Sequence, residues 1–278
     1  FARLSRLNLP PSSVSDVEGL LETPPANLPA LDIVVEHFEL RGKKLGRVEI
    51  EALNPEQPKS RARVAAEWQL SKLNITLPEA TLRSTGRWLK TAEGSTQRKT
   101  EMNFKLEVSD AGALLTRLGT PNALRGGSGQ LEGQVSWQGS PLALHYPSLS
   151  GQFGVTMGRG QFLKADAGAA KLLGVLSLQA LPRRLLLDFR DVFYEGFAFD
   201  SVRGDVTIAQ GIAQTRNMQI KGVNALVQLD GSADIAQETQ KLRVVILPSL
   251  DAGTASLVAG IAVNPVVGLT AFLAQLFL

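Results

Sequence analysis

Strict alternation of apolar and polar residues is the feature that most constrains the fold of this chain. In 101–108 and again in 131–138 every second residue is apolar or glycine, and the intervening residues are polar. Successive side chains of a β-strand lie on opposite faces, so such runs predict strands with one apolar and one polar face. Turns containing glycine separate the runs, which favours an antiparallel sheet built from hairpins over a fold of alternating strands and helices. These turns are at 41–43, 126–129, 138–141, 210–211, 221–222 and 230–231.

The apolar members of these runs are expected to share one face of the sheet. On the alternation alone, the favoured interpretation is that this face forms the core of an ordinary β-sandwich. A lining for an open groove is the alternative, and it needs further support. The residues concerned are Phe104, Leu106, Leu131, Val135, Trp137, Phe153, Val155, Val206, Ile208, Ile220, Val227, Leu229, Val244 and Ile246.

Two segments of the region 1–251 predict short helices instead of strands. Asp110 is a suitable N-cap for a helix over 111–118, and Gly119 follows it as a stop signal. A second helix is expected over 167–181, ending before Pro182. Its Leu172, Leu173 and Leu176 fall on one helical face, where they either close one end of the sheet by simple packing or shape the groove.

The C-terminal segment 252–278 contains no charged residue and is predicted to be helical. Pro265 disfavours helix at Asn264 and divides the segment into two halves. Each half would reach only about 18–20 Å, less than the roughly 30 Å hydrocarbon core of a bilayer. Two helices that dip into one leaflet therefore fit better than one membrane span, and packing of both against the sheet is the alternative. In the first arrangement, the residues that would contact membrane are Leu257, Val258, Ile261, Phe272, Leu273, Leu276 and Phe277.

The composition argues against disulfides, metal sites, nucleic-acid binding and catalysis. The chain has no cysteine and two histidines, which excludes disulfides and thiolate metal sites and leaves too few imidazoles for a histidine-rich metal site. Its net charge of +3 is scattered, whereas a nucleic-acid-binding protein usually clusters its basic residues on one element. The densest polar cluster, 183–191, could supply a pair of carboxylates for acid–base catalysis or two arginines for a phosphate. It is interpreted as charges that lie at a sheet edge or pair with each other, because no histidine or hydroxyl with a nearby base completes a catalytic site. His145 is expected in a loop. We therefore predict no enzymatic activity, no cofactor and no metal.

Several segments resemble the C-terminal region of AsmA-like proteins of the YhdP type, which belong to Gram-negative envelopes. The most specific is Lys-Leu-Leu-Gly-Val-Leu-Ser-Leu-Gln-Ala-Leu-Pro-Arg-Arg-Leu-Leu-Leu-Asp-Phe-Arg-Asp-Val-Phe at 171–193. The other similar segments are 110–119, 125–139, 195–200, Asn264–Pro265, Gly268 and 272–275.

The resemblance implies a non-enzymatic bridge that transports phospholipid between the inner and outer membranes and supports the outer-membrane permeability barrier. It implies a mainly β fold: an elongated, curved antiparallel sheet forming an open apolar groove, with a few short helices. The segment would lie in the periplasm, with its C-terminal end toward the outer membrane, an inner-membrane anchor upstream of Phe1, and envelope proteins as further partners. The alternative function is a periplasmic scaffold or assembly factor for outer-membrane components.

Overall fold

A computed structural model describes residues 1–9, 29–40, 42–53, 68–91, 97–141, 144–163, 197–223, 225–237 and 239–248. This part of the chain is almost entirely β-structure, as the alternation predicts. The strands are β1 (Ala2–Leu9), β2 (Leu31–Leu40), β3 (Lys43–Leu53), β4 (Trp68–Thr76), β5 (Ala80–Lys90), β6 (Arg98–Val108), β7 (Leu124–Gly126), β8 (Gly129–Gln138), β9 (Ser150–Met157), β10 (Gly160–Phe162), β11 (Phe197–Ala209), β12 (Ile212–Gly222), β13 (Ala225–Asp234) and β14 (Thr239–Pro248).

The strands form one open sheet in the order β1-β2-β3-β4-β5-β6-β8-β9-β11-β12-β13-β14, with β10 pairing β11 and β7 pairing β10 beside this path. The order follows the sequence almost throughout, which is the result of adding one hairpin after another. The prediction of a mainly β fold with an open sheet is therefore confirmed.

One strand pair departs from the predicted antiparallel arrangement, so the sheet is mixed. The strand β1 pairs with β2 in parallel, with Ala2 opposite Ile33 and Leu9 opposite Leu40. A parallel pair requires a crossover connection instead of a hairpin turn. The alternation pattern carries no information about strand direction, so the sequence did not reveal the parallel pair.

The chain divides into two compact units, each assembled from separate stretches. Unit 1 consists of Phe1–Val108, Gln130–Phe153 and Thr207–Ile212, and unit 2 consists of Ser109–Gly129, Gly154–Val206 and Ala213–Leu278.

In unit 1, the antiparallel ladders from β2 to β6 place apolar residues opposite apolar residues. Val48 pairs with Ile75, and Ile75 in turn pairs with Leu82 on the far side of β4. The core of this unit contains Ala52, Trp68, Leu70 and Trp88, with Leu31, Ile50, Leu73 and Met102 packed against it.

In unit 2, the helix α1 (Ala111–Arg117) occupies the segment in which a short helix was predicted. The carboxylate of Asp110 accepts a hydrogen bond from the Ala113 backbone N–H at 2.9 Å and so caps the first turn. Ala111, Gly112 and Leu114 form the buried side of α1. A Cβ on Gly112 would lie 2.3 Å from the Leu124 carbonyl oxygen, so only glycine lets α1 approach β7 this closely.

Three predictions fall outside the described residues: the helix over 167–181, the helical segment 252–278 and the polar cluster 183–191. The same holds for Leu257, Val258, Ile261, Phe272, Leu273, Leu276 and Phe277 as membrane contacts. None of the helices in the ranges given above has the length and apolar character needed to span a bilayer.

Candidate functional site

The strand register of unit 1 sorts its side chains onto two chemically different faces. Residues paired across a ladder lie on the same face of a sheet, so the pairs in register extend the assignment from strand to strand. One face, termed here the apolar face, contains aliphatic and aromatic residues on β3, β4, β5 and β6. Its members are Val48, Ile50, Ala52, Trp68, Leu70, Leu73, Ile75, Leu82, Trp88, Met102, Phe104 and Leu106.

The candidate lining residues on β6, β8 and β9 of unit 1 continue the apolar face. Lys105 and Glu132 lie 4.0 Å apart as an ion pair on the opposite face, so the alternation of β8 turns Leu131, Val135 and Trp137 toward the apolar face. The rings of Phe104 and Phe153 lie 6.3 Å apart between centroids, although β8 runs between their strands.

Gly133 on β8 makes this ring contact sterically feasible. A Cβ at Gly133 would lie 2.5 Å from Phe153 Cβ and 2.2 Å from the Gln152 carbonyl oxygen. Because Gly133 has no side chain, the space above it is left to the two phenyl rings. Phe104, Phe153, Leu106, Leu131 and Val135 are all half-buried and thus retain accessible apolar surface.

In unit 2, the candidate lining residues of β13 and β14 also share one face. Val227 lies opposite Ile246, and Leu229 lies opposite Val244. Val227, Leu229 and Val244 are 0%, 4% and 2% exposed, so these three are buried, whereas Ile246 is half-buried. Of the remaining candidates, Ile208 and Ile220 are buried, and Val155 and Val206 are half-buried.

The three tryptophans of unit 1 lie toward the same end of its strands. Trp68 is the first residue of β4 and lies opposite Trp88 near the end of β5. Trp137 lies near the end of β8, where the Gly139 N–H donates to the Arg98 carbonyl at the start of β6. Each indole N–H donates to a backbone carbonyl: Trp68 to Pro29 at 3.0 Å, Trp88 to Gly139 at 2.9 Å and Trp137 to Ser140 at 2.9 Å.

Polar residues on the apolar face are also satisfied internally. The Thr100 hydroxyl donates to the same Gly139 carbonyl at 2.9 Å, and the Ser84 hydroxyl donates to the Asn103 carbonyl at 2.8 Å. Both side chains are buried. A buried hydroxyl with a partner avoids the desolvation penalty of an unmade hydrogen bond, so these residues interrupt the apolar sequence pattern without opening the face to water.

The opposite, polar face of unit 1 contains cross-strand ion pairs. Arg87 lies opposite Glu101 and contacts it at 2.7 Å, and Lys99 contacts the same carboxylate at 3.0 Å. The hydrogen bond from Lys99, reinforced by Arg87, lowers the pKa of Glu101 below its ordinary value despite the opposing effect of burial.

Two further groups on this face are shifted by ion pairing. A hydrogen bond from the Arg83 guanidinium lowers the pKa of Glu107. Lys72 lies 2.6 Å from Glu51 and 3.5 Å from Glu49, and the hydrogen bond to Glu51 raises the pKa of Lys72. These shifts favour the charged forms, which is typical of a solvated ionic surface and not of acid–base catalysis.

The described residues contain no cluster of side chains that could hold a metal ion. Within these ranges no three His, Asp or Glu side chains converge as a metal site would require. His145 lies in the loop before a short 3-10 turn at Tyr146–Ser148, and its Nδ1 is 2.8 Å from the Ser148 hydroxyl. That hydroxyl also accepts from the Gln138 N–H at 2.9 Å, so its contacts hold the loop against β8.

Sequence reasoning missed part of the apolar face. The candidate lining began at Phe104, whereas the face already includes β3, β4 and β5. Val48, Ile50 and Ala52 alternate with Glu49 and Glu51, so the signal was present. On β4 the signal is broken, because the register shifts between Leu70 and Leu73 and so changes the phase of the alternation.

Comparison with known proteins identifies the family of this two-faced sheet. Residues 1–278 match the family model described as "YhdP protein". The chain belongs to the YhdP family. Among YhdP relatives, the Escherichia coli (strain K12) protein named intermembrane phospholipid transporter YhdP is 31% identical over 178 residues.

That match covers 64% of this chain and 14% of the E. coli protein. The chain therefore corresponds to a small part of its YhdP relative, and the membership confirms the resemblance found in the sequence. No solved structure matches the chain significantly.

Proposed function

We propose that this YhdP-family segment carries phospholipid between the inner and outer membranes by holding acyl chains against its apolar face. The observation that carries the proposal is the separation of the two faces in unit 1. Half-buried apolar residues such as Phe104, Leu106 and Val135 follow one another on one face, and ion pairs occupy the other. The name of the E. coli relative supports phospholipid as the cargo.

The energetics favour such a surface as a carrier. Exposing acyl chains to water costs about 0.8 kcal/mol per methylene, so two long chains cost on the order of 20–25 kcal/mol. A carrier must therefore surround the chains with apolar contacts in place of water along their whole length, without hydrogen bonds that fix one position. Aliphatic and phenyl side chains provide such contact, since the hydrophobic effect is non-directional.

The same proposal includes the cellular setting. The segment works in the periplasm as a binding surface and not as a catalyst, and its transport supports the outer-membrane permeability barrier. The half-buried candidate lining residues, such as Phe104, Leu131 and Val135 of unit 1, contact the acyl chains, and the buried ones support them from below. The C-terminal residues 252–278 contact the outer membrane, and an anchor elsewhere in the protein attaches it to the inner membrane.

A pair of neighbouring photo-crosslinkers tests this function. A crosslinker at Val135 on the apolar face should capture phospholipid, whereas one at Gln134, the adjacent residue on the opposite face, should not. Native mass spectrometry of protein prepared without detergent should detect bound phospholipid.

Equal capture at Val135 and Gln134 would contradict the assignment of the apolar face as the lipid surface. Capture at neither position, together with no bound lipid in the mass spectrum, would contradict lipid carriage and favour the scaffold function.

A further inference from the structure

Each of the three methionines of the chain lies over a glycine and fills the space that the missing side chain leaves. A Cβ added to the glycine would lie 3.0 Å from Met102 Cγ, 3.1 Å from Met157 Sδ and 2.8 Å from Met218 Sδ. The glycines are on β5, in the turn between β7 and β8, and on β11. The three couples, termed here the methionine–glycine pairs, are Met102 with Gly86, Met157 with Gly127 and Met218 with Gly204.

The methionines lie on the apolar side of their strands. Gly86 lies opposite Leu70 of the apolar face in unit 1, so its ladder partner Met102 is on that face as well. In unit 2, Met157 and Met218 are two residues away from candidate lining residues of β9 and β12 and so share their faces. All three methionines are half-buried. They therefore belong to the accessible apolar surface, although sequence reasoning did not include them in the lining.

Two phenylalanines of unit 2 fill the space over a glycine in the same way but are closed to solvent. A Cβ on Gly160 would meet the Phe199 ring, and one on Gly222 would meet the Phe197 ring. Phe199 and Phe197 are only 2% and 5% exposed. These rings belong to a buried core, whereas the methionines combine partial exposure with a flexible side chain.

The chemistry of methionine suits it to such an exposed position. Its side chain is unbranched, has three rotatable bonds and adapts to irregular space. Valine and isoleucine, which supply much of the remaining lining, are branched at Cβ and restricted in rotamer. Rotation of a methionine away from its glycine opens a depression one side chain deep, with only backbone at its base. A kinked hydrocarbon chain fits such a depression better than a flat surface.

We propose that the methionine–glycine pairs are adaptable sites that let the apolar surface hold phospholipids with acyl chains of different shape; this inference rests on the proposed function. A straight, saturated chain lies over the methionines as they stand. A chain bent at a cis double bond displaces a methionine and occupies the space over its glycine. The surface thus accepts both kinds of chain without a pocket of fixed shape.

The first test compares distearoylphosphatidylglycerol with dioleoylphosphatidylglycerol, which share headgroup and chain length and differ in the cis double bonds. The full chain is incubated with an equimolar mixture, and native mass spectrometry measures the ratio of the two bound lipids. The triple variant Met102→Leu, Met157→Leu and Met218→Leu retains apolar volume but has branched side chains with less rotamer freedom. Its bound ratio should shift about two- to ten-fold toward the saturated lipid, the range of a volume-conserving exchange in packed surroundings.

Replacement of all methionines by norleucine provides the matched control. Norleucine is unbranched and exchanges only the sulfur for a methylene group, so it keeps the flexibility that the inference requires. The norleucine protein should therefore bind the two lipids in the same ratio as the parent. Urea unfolding of each protein verifies that the fold is retained.

A second test uses the unmodified protein and so does not depend on the folding of any variant. Hydrogen peroxide transfers one oxygen atom to an accessible methionine sulfur and leaves as water, which gives the sulfoxide. Peptide mass spectrometry measures this rate at each of the three methionines with and without dioleoylphosphatidylglycerol. At a lipid concentration about ten times the Kd, about nine-tenths of the protein is occupied, so each rate should fall about ten-fold.

The outcomes separate this inference from the proposed function. A folded leucine variant with the parent's lipid ratio, a norleucine protein that shifts as far as the leucine variant, or unchanged peroxide rates in protein that binds lipid would each overturn the adaptable sites. Lipid binding in those cases leaves the proposed function standing. Failure of both lipids to bind the unmodified protein contradicts the proposed function itself.

Discussion

Replacement of Gly133 by alanine tests the close approach of β8 and β9 that brings Phe104 and Phe153 together. The new Cβ would lie 2.2 Å from the Gln152 carbonyl oxygen and 2.6 Å from Phe153 Cα, both of which are backbone atoms. Since backbone cannot rotate away as a flexible side chain can, the two strands must separate locally. Such overpacking typically costs about 1–3 kcal/mol.

Part of that cost is offset in the unfolded chain. Replacing glycine by alanine reduces the entropy of the unfolded state and stabilises by about 0.4–1 kcal/mol where the native backbone accepts alanine. The net expectation for Gly133→Ala is a loss of about 1–2 kcal/mol. With a urea dependence of about 1–3 kcal/mol per molar, the unfolding midpoint should fall by roughly 0.3–2 M.

The chain offers both a matched control and a specific probe. A Cβ at Gly154 on β9 would meet only Asp205 Oδ1 at 3.4 Å, an ordinary contact, so Gly154→Ala should match or slightly exceed the parent. The protein has three tryptophans, all in unit 1, so their fluorescence reports unfolding around Gly133, and circular dichroism follows both variants because Gly154 lies in unit 2. Equal midpoints for Gly133→Ala and Gly154→Ala would refute the argument from strand approach.

Two further changes test local interactions that the structure assigns. Because ion pairing lowers the pKa of Glu101, its stabilisation is present above its ordinary value near 4.5 and is lost as pH falls through the lower folded pKa. Glu101→Gln should therefore be less stable than the parent by about 0.2–1 kcal/mol at pH 7, and this difference should vanish in acid. Urea titrations at several pH values measure it, and a difference that does not depend on pH would contradict ion pairing as the cause. Asp110→Ala should destabilise α1 by about 1 kcal/mol through loss of its cap, whereas Asp110→Asn should retain most of that stability; equal effects of the two changes on the melting temperature would contradict capping.

The sequence predicted those parts of the fold in which local pattern and structure agree. The alternation of β6 and β8 placed Phe104, Leu106, Leu131 and Val135 on one face, and the register and contacts of unit 1 place them so. The Asp110 cap located α1 because capping involves only neighbouring residues. Membership of the YhdP family was likewise readable from continuous segments of sequence.

The features that the sequence did not reveal depend on partners distant in the chain. The β-bulge after Leu70 reverses the phase of β4, and it is visible only in the pairing with β3 and β5. In the sequence, Thr100 interrupts the alternation with a polar residue. Its hydroxyl donates a hydrogen bond to the Gly139 carbonyl, 39 residues away, which the local pattern cannot show. The parallel pairing of β1 with β2 has no local signature at all.

Alternation also leaves the strand register undetermined, and the polar face of unit 1 provides what is missing. A slip of two residues keeps every apolar side chain on the apolar face, so the hydrophobic pattern does not oppose it. Such a slip in one direction would place Arg87 opposite Lys99 instead of Glu101, and like charges directly opposed are destabilising, although the observed register also opposes Arg83 to Lys105. Each exposed ion pair stabilises the fold only slightly, so the Arg87–Glu101 pair adds a small preference for the observed register over this one slip.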